Sequence, residues 1–229
     1  MPDETTATDV MTRDLFVGRQ REMETLSAAL EGALAGRGGM VMLVGEPGIG
    51  KTRTAEQFAA RAAQHGAQVF WGRCYEEPGA PPFWPWVQAL RAYVQAHDTE
   101  TLRAEMGAGA ADIADIVPEV RAHLSDLQPP PHFEDPAQAR FRLFDSIGSF
   151  LHRAAERQPV VLFLDNLHWA DAPSLRLLTF LAPELEASRV LVVGSYRDVE
   201  LSRQHPLSNT LGELTRLPRF QRAAAWPRS

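Results

Sequence analysis

The residues best suited to chemistry lie at positions 45–52, which read G-E-P-G-I-G-K-T. This is the G-x-x-x-x-G-K-T pattern of a phosphate-binding loop, in which glycines let backbone N–H groups point inward at phosphate oxygens. We expect Lys51 to contact the β and γ phosphates and the Thr52 hydroxyl to bind Mg²⁺. The expected nucleotide contacts here are Gly45, Glu46, Pro47, Gly48, Ile49, Gly50, Lys51, Thr52 and Arg53.

The sequence around this loop favours that interpretation over a chance glycine-rich turn. An apolar strand is expected at residues 40–44, directly before the loop, and a helix at about residues 51–65, ending at Gly66. Among the 23 lysines and arginines of the chain, Lys51 is the single lysine. A composition that otherwise uses arginine has a lysine where a compact point charge is needed.

A second group of candidates follows the apolar run at residues 159–165, P-V-V-L-F-L-D. Such continuous apolarity is typical of a strand covered on both faces, and Asp165 at its end is where open α/β sheets place ligand groups. We expect Asp165 to hold Mg²⁺, directly or through water; the alternative is that it only caps the next turn. Asn166 can orient an attacking water but cannot accept its proton, so hydrolysis is expected to be slow unless another acid serves. Asp171, the nearest later acid, is expected to cap the helix near Pro173 instead.

Two arginines are candidates for contact with the nucleotide. Arg197 follows the fourth strand and is expected to sense the γ-phosphate or to stabilise charge during transfer; the alternative is a surface arginine paired with Asp198. Arg19 is expected to close over the nucleotide from the N-terminal side, or else to start the first helix. We expect His168 and Trp169 to pack rather than to react. The residues assigned to catalysis are Lys51, Asp165, Asn166 and Arg197.

Strand and helix patterns alternate along the chain. Helices are expected at residues 20–35, 174–185 (with Ser174 as N-cap) and 206–217, and further strands at residues 68–73 and 190–193. This alternation predicts an α/β fold of the P-loop NTPase type, a three-layer αβα sandwich with a mostly parallel sheet.

The long segment between the second and third strands has features of its own. Residues 75–86 hold four prolines and the large aromatic side chains Phe83, Trp84 and Trp86, and an irregular loop is expected. Those aromatics either anchor the loop to the core, which we favour, or face a partner. Residues 99–136 are expected to be a helical insertion, broken near Pro118, with a proline-rich end. Residues 137–157 are expected to form an amphipathic helix. Its apolar face comprises Phe141, Phe144, Ile147, Phe150 and Leu151.

Composition excludes several classes of protein. A net charge of −6 over 229 residues argues against general nucleic-acid binding by this segment, although a local basic strip stays possible. The single cysteine, Cys74, cannot form an internal disulfide, and no Cys/His cluster has metal-ligand spacing. The polar N-terminus does not resemble a signal peptide, and no apolar run approaches the roughly 20 residues that span a membrane. A cytoplasmic location without membrane contact is therefore expected.

Five segments occur together in a recognisable order: F-V-G-R-Q-R-E at 16–22, G-E-P-G-I-G-K-T at 45–52, F-W-P-W at 83–86, L-F-L-D-N-L-H-W-A-D at 162–171 and G-S-Y-R-D at 194–198. Together they resemble the AAA-type ATPase domain of the STAND class. That domain lies near the N-terminus of large LuxR-type transcriptional regulators and of some cyclase and kinase fusions. The resemblance covers about residues 16–220.

This resemblance implies ATP as the nucleotide, Asp165 as the Mg²⁺-side acid and Arg197 as the sensor arginine. It also implies a signal-gated switch rather than a fast enzyme, and a fifth strand, lid and winged-helix part after the first four strands. We expect residues 1–13 to be a disordered tail, 14–220 the ATPase domain and 221–229 an irregular tail, with the lid and winged-helix part missing.

The ending of the chain leads to one further expectation. Because the residues near Ala223 have low β-propensity and Pro227 cannot donate a ladder bond, the edge of the phosphate-loop strand is expected to stay unpaired. We therefore expect self-association. Because the lid is expected to be missing, we also expect weak ATP affinity and little discrimination against ADP.

Three functions stay open at this point: an ATP-binding switch with weak ATPase activity, a stand-alone ATPase enzyme, and a P-loop small-molecule kinase. The kinase is least favoured because it needs a basic lid, and residues 99–136 offer only Arg103 and Arg121.

Overall fold

The computed structural model describes residues 19–77, 79–130, 135–202 and 204–224. The strands in these residues are β1 (Gly39–Val44), β2 (Gln68–Arg73), β3 (Val160–Asp165), β4 (Val190–Tyr196) and β5 (Phe220–Ala224). They form one sheet in the order β2-β3-β4-β1-β5, and every pairing between neighbours is parallel. The carboxyl ends of the strands therefore meet along one edge, where the loops after β1, β3 and β4 lie side by side.

The helices in the described residues are α1 (Gln20–Leu34), α2 (Lys51–Gln64), α3 (Trp84–Ala96), α4 (Thr99–Met106), α5 (Ala110–Ile116), α6 (Glu119–His123), α7 (Pro136–Arg157), α8 (Ala172–Leu181) and α9 (Pro206–Leu214). Short 3-10 turns cover Gly107–Gly109, Leu167–Trp169, Ala182–Ala187 and Asp198–Glu200. α1 and α2 agree with the sequence prediction to within a residue at each end.

Both faces of the sheet are covered by helices. Side chains alternate along β1, so that Met42 faces a larger core formed with α3 to α9, and Leu43 faces a smaller core. The smaller core includes Leu26 of α1 and Phe58 of α2. β3 and β4 are buried along their whole length, as a strand between two helical layers must be. The three-layer α/β fold expected from the sequence is confirmed.

The expectation of an unpaired edge on β1 is wrong, because β5 pairs in parallel with β1 along its length. The small side chain of Ala223 is buried in the core beside α1, so packing and ladder bonds override its low β-propensity. Pro218 precedes the strand, where it removes no ladder bond. Residues 221–224 thus belong to the sheet rather than to an irregular tail, and residues 225–229 lie outside the described part, as do residues 1–13.

The expected helical insertion is present as α4, α5 and α6, broken at Pro118, although residues 131–134 are outside the described part. α7 buries Phe144, Ile147, Phe150 and Leu151, as the sequence predicts. Phe141 was expected on the same buried face, but it is 62% exposed. The first two turns of this long helix extend beyond the core, and Phe141 makes an edge-to-face contact with Phe180 there.

The segment at residues 75–86 is only partly irregular, because α3 begins within it at Trp84. Trp86 is 1% exposed, and its indole N–H donates to the Ser174 carbonyl at 3.1 Å, which confirms the anchoring interpretation. α8 begins two residues earlier than expected, and Asp171 is its N-cap, accepting from the Ser174 N–H at 2.9 Å. The prediction that Asp171 caps this helix is confirmed; the assignment of Ser174 as N-cap is wrong, because the carboxylate one turn earlier satisfies the helix end.

Candidate nucleotide-binding site

The loop at residues 45–50 connects the carboxyl end of β1 to the first turn of α2. Gly48 and Gly50 have φ angles of 74° and 97°, in the left-handed region that other residues rarely adopt. Gly50 is also the N-cap of α2, and its carbonyl accepts from the Thr54 N–H at 3.0 Å. The positive end of a 14-residue helix therefore points into a concave loop, which is a favourable place for an anion.

Lys51 lies inside this loop rather than on the surface. Its Nζ donates to the carbonyls of Gly45 at 2.7 Å and Glu46 at 2.9 Å. Burial, and then the nearby charge of Arg197, lower the pKa of Lys51, while Asp165 opposes the shift. The ammonium group is therefore held where a phosphate would arrive, and an anionic ligand would supply a charge that the two carbonyls only partly provide.

The other expected contacts in this segment are accessible. Glu46, Pro47, Thr52 and Arg53 are exposed, and Ile49 is half-buried. The Thr52 hydroxyl and a carboxylate are oxygen donors, which Mg²⁺ prefers. Among the described residues no three acidic, His or Cys side chains cluster closely enough to hold a metal ion themselves. The donors present fit a magnesium ion that takes most of its ligands from phosphates and water.

Asp165 ends β3 and is 6% exposed. Its Oδ1 accepts from the Ser195 hydroxyl of β4, and its Oδ2 lies 3.2 Å from Nε of Arg73, its register partner on β2. Both contacts come from neighbouring strands rather than from the following turn. The carboxylate is thus held by the sheet, with one partner on each of its two oxygens.

Arg197 follows β4 directly, on the same edge of the sheet. Its Nη1 lies 2.7 Å from Oε1 of Glu200, and its guanidinium carbon lies 4.9 Å from the centre of the Trp169 ring. The partner that the sequence suggested, Asp198, is exposed and is not the one that pairs with it. We call Arg73, Asp165, Ser195, Arg197 and Glu200 the strand-end cluster.

Arg19 connects the start of α1 to the phosphate loop. Its Nη1 lies 2.8 Å from Oε1 of Glu22, which is buried, and its Nη2 donates to the carbonyl of Ile49. The two sequence interpretations are therefore compatible, because the same residue precedes the helix and reaches the loop. This contact fixes the N-terminal end of α1 beside the site.

Comparison with known proteins agrees with this geometry. A family model described as the AAA ATPase domain matches residues 15–193. The chain belongs to the AAA ATPase domain family. An uncharacterized protein of Rhizobium meliloti (strain 1021) is 25% identical over 197 residues, covering 80% of this chain and 18% of that protein. The chain thus spans less than a fifth of the length of this curated relative.

Solved structures similar to the AAA ATPase domain include the Drosophila ORC bound to DNA, with 13% identity, a TM-score of 0.43, and coverage of 90% of this chain and 94% of that one. The Aeropyrum pernix ORC1 protein in complex with DNA has 17% identity and a TM-score of 0.43, with coverage of 92% and 46%. The flagellar accessory protein FlaH from Methanocaldococcus jannaschii has 12% identity and a TM-score of 0.33, with coverage of 77% and 68%. TM-scores this low support no conclusion about DNA binding or assembly by this chain.

Asn166 has a backbone role that the sequence did not reveal. Its φ angle is 61°, a conformation that asparagine tolerates better than most residues, and its N–H donates to the Ser195 hydroxyl at 3.1 Å. This turn leads from β3 of the AAA ATPase domain into the 3-10 turn that carries His168. The position therefore restricts which acid can replace the amide without strain.

His168 is buried against Trp169, with ring centres 4.4 Å apart, as the packing interpretation predicts. Burial lowers its pKa to about 4, with Glu200 opposing the shift, so the imidazole is neutral at neutral pH. Within the described residues neither ring nitrogen has a hydrogen-bond partner. A buried imidazole without such partners stands directly behind the strand-end cluster.

Sequence reasoning missed Arg73, Ser195 and Glu200. Arg73 and Ser195 end or nearly end strands that the sequence did predict, so the rule that parallel strand ends converge could have suggested both. Glu200 lies three residues after Arg197, but nothing in the sequence distinguishes it from Asp198. None of the helices in the described ranges is long and apolar enough to cross a membrane.

Proposed function

We propose that this AAA ATPase domain binds Mg·ATP and acts as a nucleotide-dependent switch with weak ATPase activity, within a signalling or transcriptional regulator. The observation that carries the proposal is the position of Lys51, held by the Gly45 and Glu46 carbonyls inside the loop, within electrostatic reach of Asp165 and Arg197. A buried cation at a helix N-terminus is suited to a polyanion.

Binding follows from these contacts. The N–H groups of the loop and of the first turn of α2 would donate to the phosphates, and the Lys51 ammonium would exchange its carbonyl partners for phosphate oxygens. Thr52 and Asp165 would hold Mg²⁺, which when bound neutralises charge on the phosphates. Arg19, which already contacts the Ile49 carbonyl, would keep the N-terminal side of the loop closed.

Slow hydrolysis is supported by the state of the nearby acids. Asn166 can orient a water molecule but cannot accept its proton. Asp171 caps α8, and Glu200 pairs with Arg197. Each of these two carboxylates already has a partner, so neither is a free general base. A site that binds ATP and hydrolyses it slowly is suited to holding the protein in its ATP-bound state rather than to consuming substrate.

The switch role rests on Arg197 and on the resemblance to the STAND class. An arginine at this strand end would bind the γ-phosphate, which ADP lacks, and so give the two nucleotides different contacts. A ligand shifts a conformational equilibrium only through such a difference. The role in a larger regulator follows from the family resemblance alone.

We also propose self-association, now through the outer edge of β5 instead of that of β1. Among the described residues no strand pairs with that edge, and unpaired strand groups favour pairing between chains. The solution mass of the chain, measured over a range of concentrations, tests this; a monomer at all concentrations would contradict it.

Nucleotide binding is tested with Lys51→Ala. We expect about a tenfold or larger loss of Mg·ATP affinity by calorimetry, because hydrogen bonds to a charged group contribute about 1.5–3 kcal/mol. Arg61→Ala, at the exposed far end of the same helix, removes the same charge and should change nothing. Equal ATP affinity in wild type and Lys51→Ala would overturn the proposal.

Phosphate release distinguishes the three functions that the sequence left open. A switch should hydrolyse ATP far below the roughly 10 s⁻¹ that is typical of enzymes. A stand-alone ATPase would reach that rate, and a kinase would consume ATP only when a suitable acceptor is added.

A further inference from the structure

The side chain of Glu200 joins two groups that the sequence did not connect. Its Oε1 lies 2.7 Å from Nη1 of Arg197, and its Oε2 lies 3.4 Å from Nε2 of His168. One oxygen therefore faces the candidate γ-phosphate sensor, and the other faces a buried imidazole. The carboxylate therefore contacts both Arg197 and a buried side chain.

Arg197 is already engaged in this arrangement. Glu200 accepts from one end of its guanidinium, and the Trp169 ring lies against its face. Carboxylate and phosphate oxygens compete for the same N–H donors of an arginine. To bind a γ-phosphate through this donor, Arg197 must give up part or all of its contact with Glu200.

His168 gives Glu200 a second partner. Its side chain has no exposed surface, and within the described residues neither of its ring nitrogens is hydrogen-bonded. A neutral imidazole has one N–H that can donate to a carboxylate. If Arg197 moved away, Glu200 would therefore keep a neighbouring donor in His168.

We propose that Glu200 is a positioning residue that sets how strongly the site prefers ATP over ADP, by competing with the γ-phosphate for Arg197. The inference rests on the proposed function, because it requires nucleotide in the phosphate loop. ADP binds with the Arg197–Glu200 pair intact. For ATP to bind, the Arg197–Glu200 pair has to open, so the free energy of opening lowers the affinity for ATP but not the affinity for ADP.

The test is Glu200→Gln, which keeps the shape of the side chain and removes its charge. We expect ATP affinity to rise about two- to fivefold, which is the contribution of a partly exposed ion pair, while ADP affinity stays the same. Calorimetric titration of the full 229-residue chain with Mg·ATP and with Mg·ADP measures both.

Two control variants isolate the mechanism. Asp198→Asn removes the same charge from the same 3-10 turn, at an exposed residue that does not pair with Arg197. It should leave the ratio of ATP to ADP affinity within about twofold of wild type. Arg197→Ala combined with Glu200→Gln should bind ATP no better than Arg197→Ala alone, because Glu200 acts only through that arginine.

Trp169 offers a second readout. Because Arg197 lies against its ring, movement of the guanidinium should change tryptophan fluorescence when ATP binds, but not when ADP binds. Trp169→Phe should abolish the ATP-specific part of the signal. In Glu200→Gln the signal should reach its end point at a lower ATP concentration.

The outcomes separate the inference from the proposed function. If Lys51→Ala binds ATP as wild type does, or if wild type binds no nucleotide, the nucleotide site is wrong and the inference falls with it. If Lys51→Ala loses binding but Glu200→Gln changes the ATP to ADP ratio no more than Asp198→Asn does, the site stands and the role of Glu200 is refuted. A gain in ATP affinity that persists when Arg197→Ala is combined with Glu200→Gln also refutes the role of Glu200.

Discussion

The phosphate loop and the strand-end cluster meet at one site but are assembled differently. The loop is a single stretch of chain, and the carbonyls that hold Lys51 lie only five and six residues before it. The partners of Asp165 are Arg73 and Ser195, which arrive from two other strands, and Ser195 lies 30 residues away in the sequence. The contacts that hold Lys51 need only local conformation, whereas the cluster exists only when β2, β3 and β4 pair in register.

This difference determines how a substitution acts in each region. In the loop, we expect substitutions to act through the φ angles of its glycines and through the buried cation Lys51. In the strand-end cluster, oppositely charged side chains pair with one another, so a substitution of one leaves its partner without that contact. The following predictions, from the largest expected effect to the smallest, test that contrast.

The largest effect is expected from Asp165→Asn. Replacing a charged acceptor by an amide should lower Mg·ATP affinity about tenfold or more, since hydrogen bonds to charged groups contribute about 1.5–3 kcal/mol. ATP affinity measured without Mg²⁺ should stay within about twofold, because the loop is unchanged. Asp115→Asn, at an exposed residue of α5, should have no effect on either titration. Equal losses with and without Mg²⁺ would show that Asp165 does not act through the metal.

Asn166→Asp should raise ATP turnover about tenfold. A positioned proton acceptor typically raises the reaction rate about 10²–10⁴-fold. Only part of that increase is expected here, because the introduced side chain did not evolve for this role. Asn166→Glu is the informative comparison, because glutamate tolerates the left-handed backbone at this position less well than aspartate. Phosphate release by both variants, together with their thermal midpoints, measures this. A wild-type rate already near that of ordinary enzymes would show that the amide is no handicap.

The success of sequence reasoning follows the same contrast. The loop, its strand and its helix were predicted from adjacent residues, and so was the buried strand that ends in Asp165. The partner of Arg197 was not, because Asp198 and Glu200 are both acidic and only the 3-10 turn decides which one faces the guanidinium. β5 was missed for a related reason. Its alanines have low β-propensity, and the strand forms because it pairs with β1 and packs against α1, which are distant in the sequence.

Gly48→Ala tests whether loop conformation alone carries phosphate binding. Gly36, at the end of α1, is a matched control: φ is 74° at Gly48 and 76° at Gly36, and an added Cβ meets nothing within 4 Å at either. Both substitutions should lower the free energy of unfolding by about 1–2 kcal/mol, the cost of left-handed backbone. Only Gly48→Ala should also weaken ATP binding, by about fivefold. Equal affinity losses in both variants would mean that general destabilisation, and not loop shape, is responsible.

The smallest effect is expected from Arg73→Gln, and it decides what the arginine beside Asp165 does. Nε of Arg73 lies 3.2 Å from Oδ2 of Asp165, and the side chain of Arg73 is 49% exposed, so the pair is worth little for folding. If Arg73 competes with the metal for that oxygen, its removal should lower the Mg²⁺ concentration needed for half-maximal ATP binding by about two- to fivefold. If it instead orients the carboxylate, that concentration should rise. Arg103→Gln, which removes a similarly exposed arginine that pairs with Asp126, should change the Mg²⁺ requirement in neither direction. Because Ser195 still donates to Oδ1, the carboxylate keeps one of its two contacts, and the direction of the shift distinguishes the two roles of Arg73.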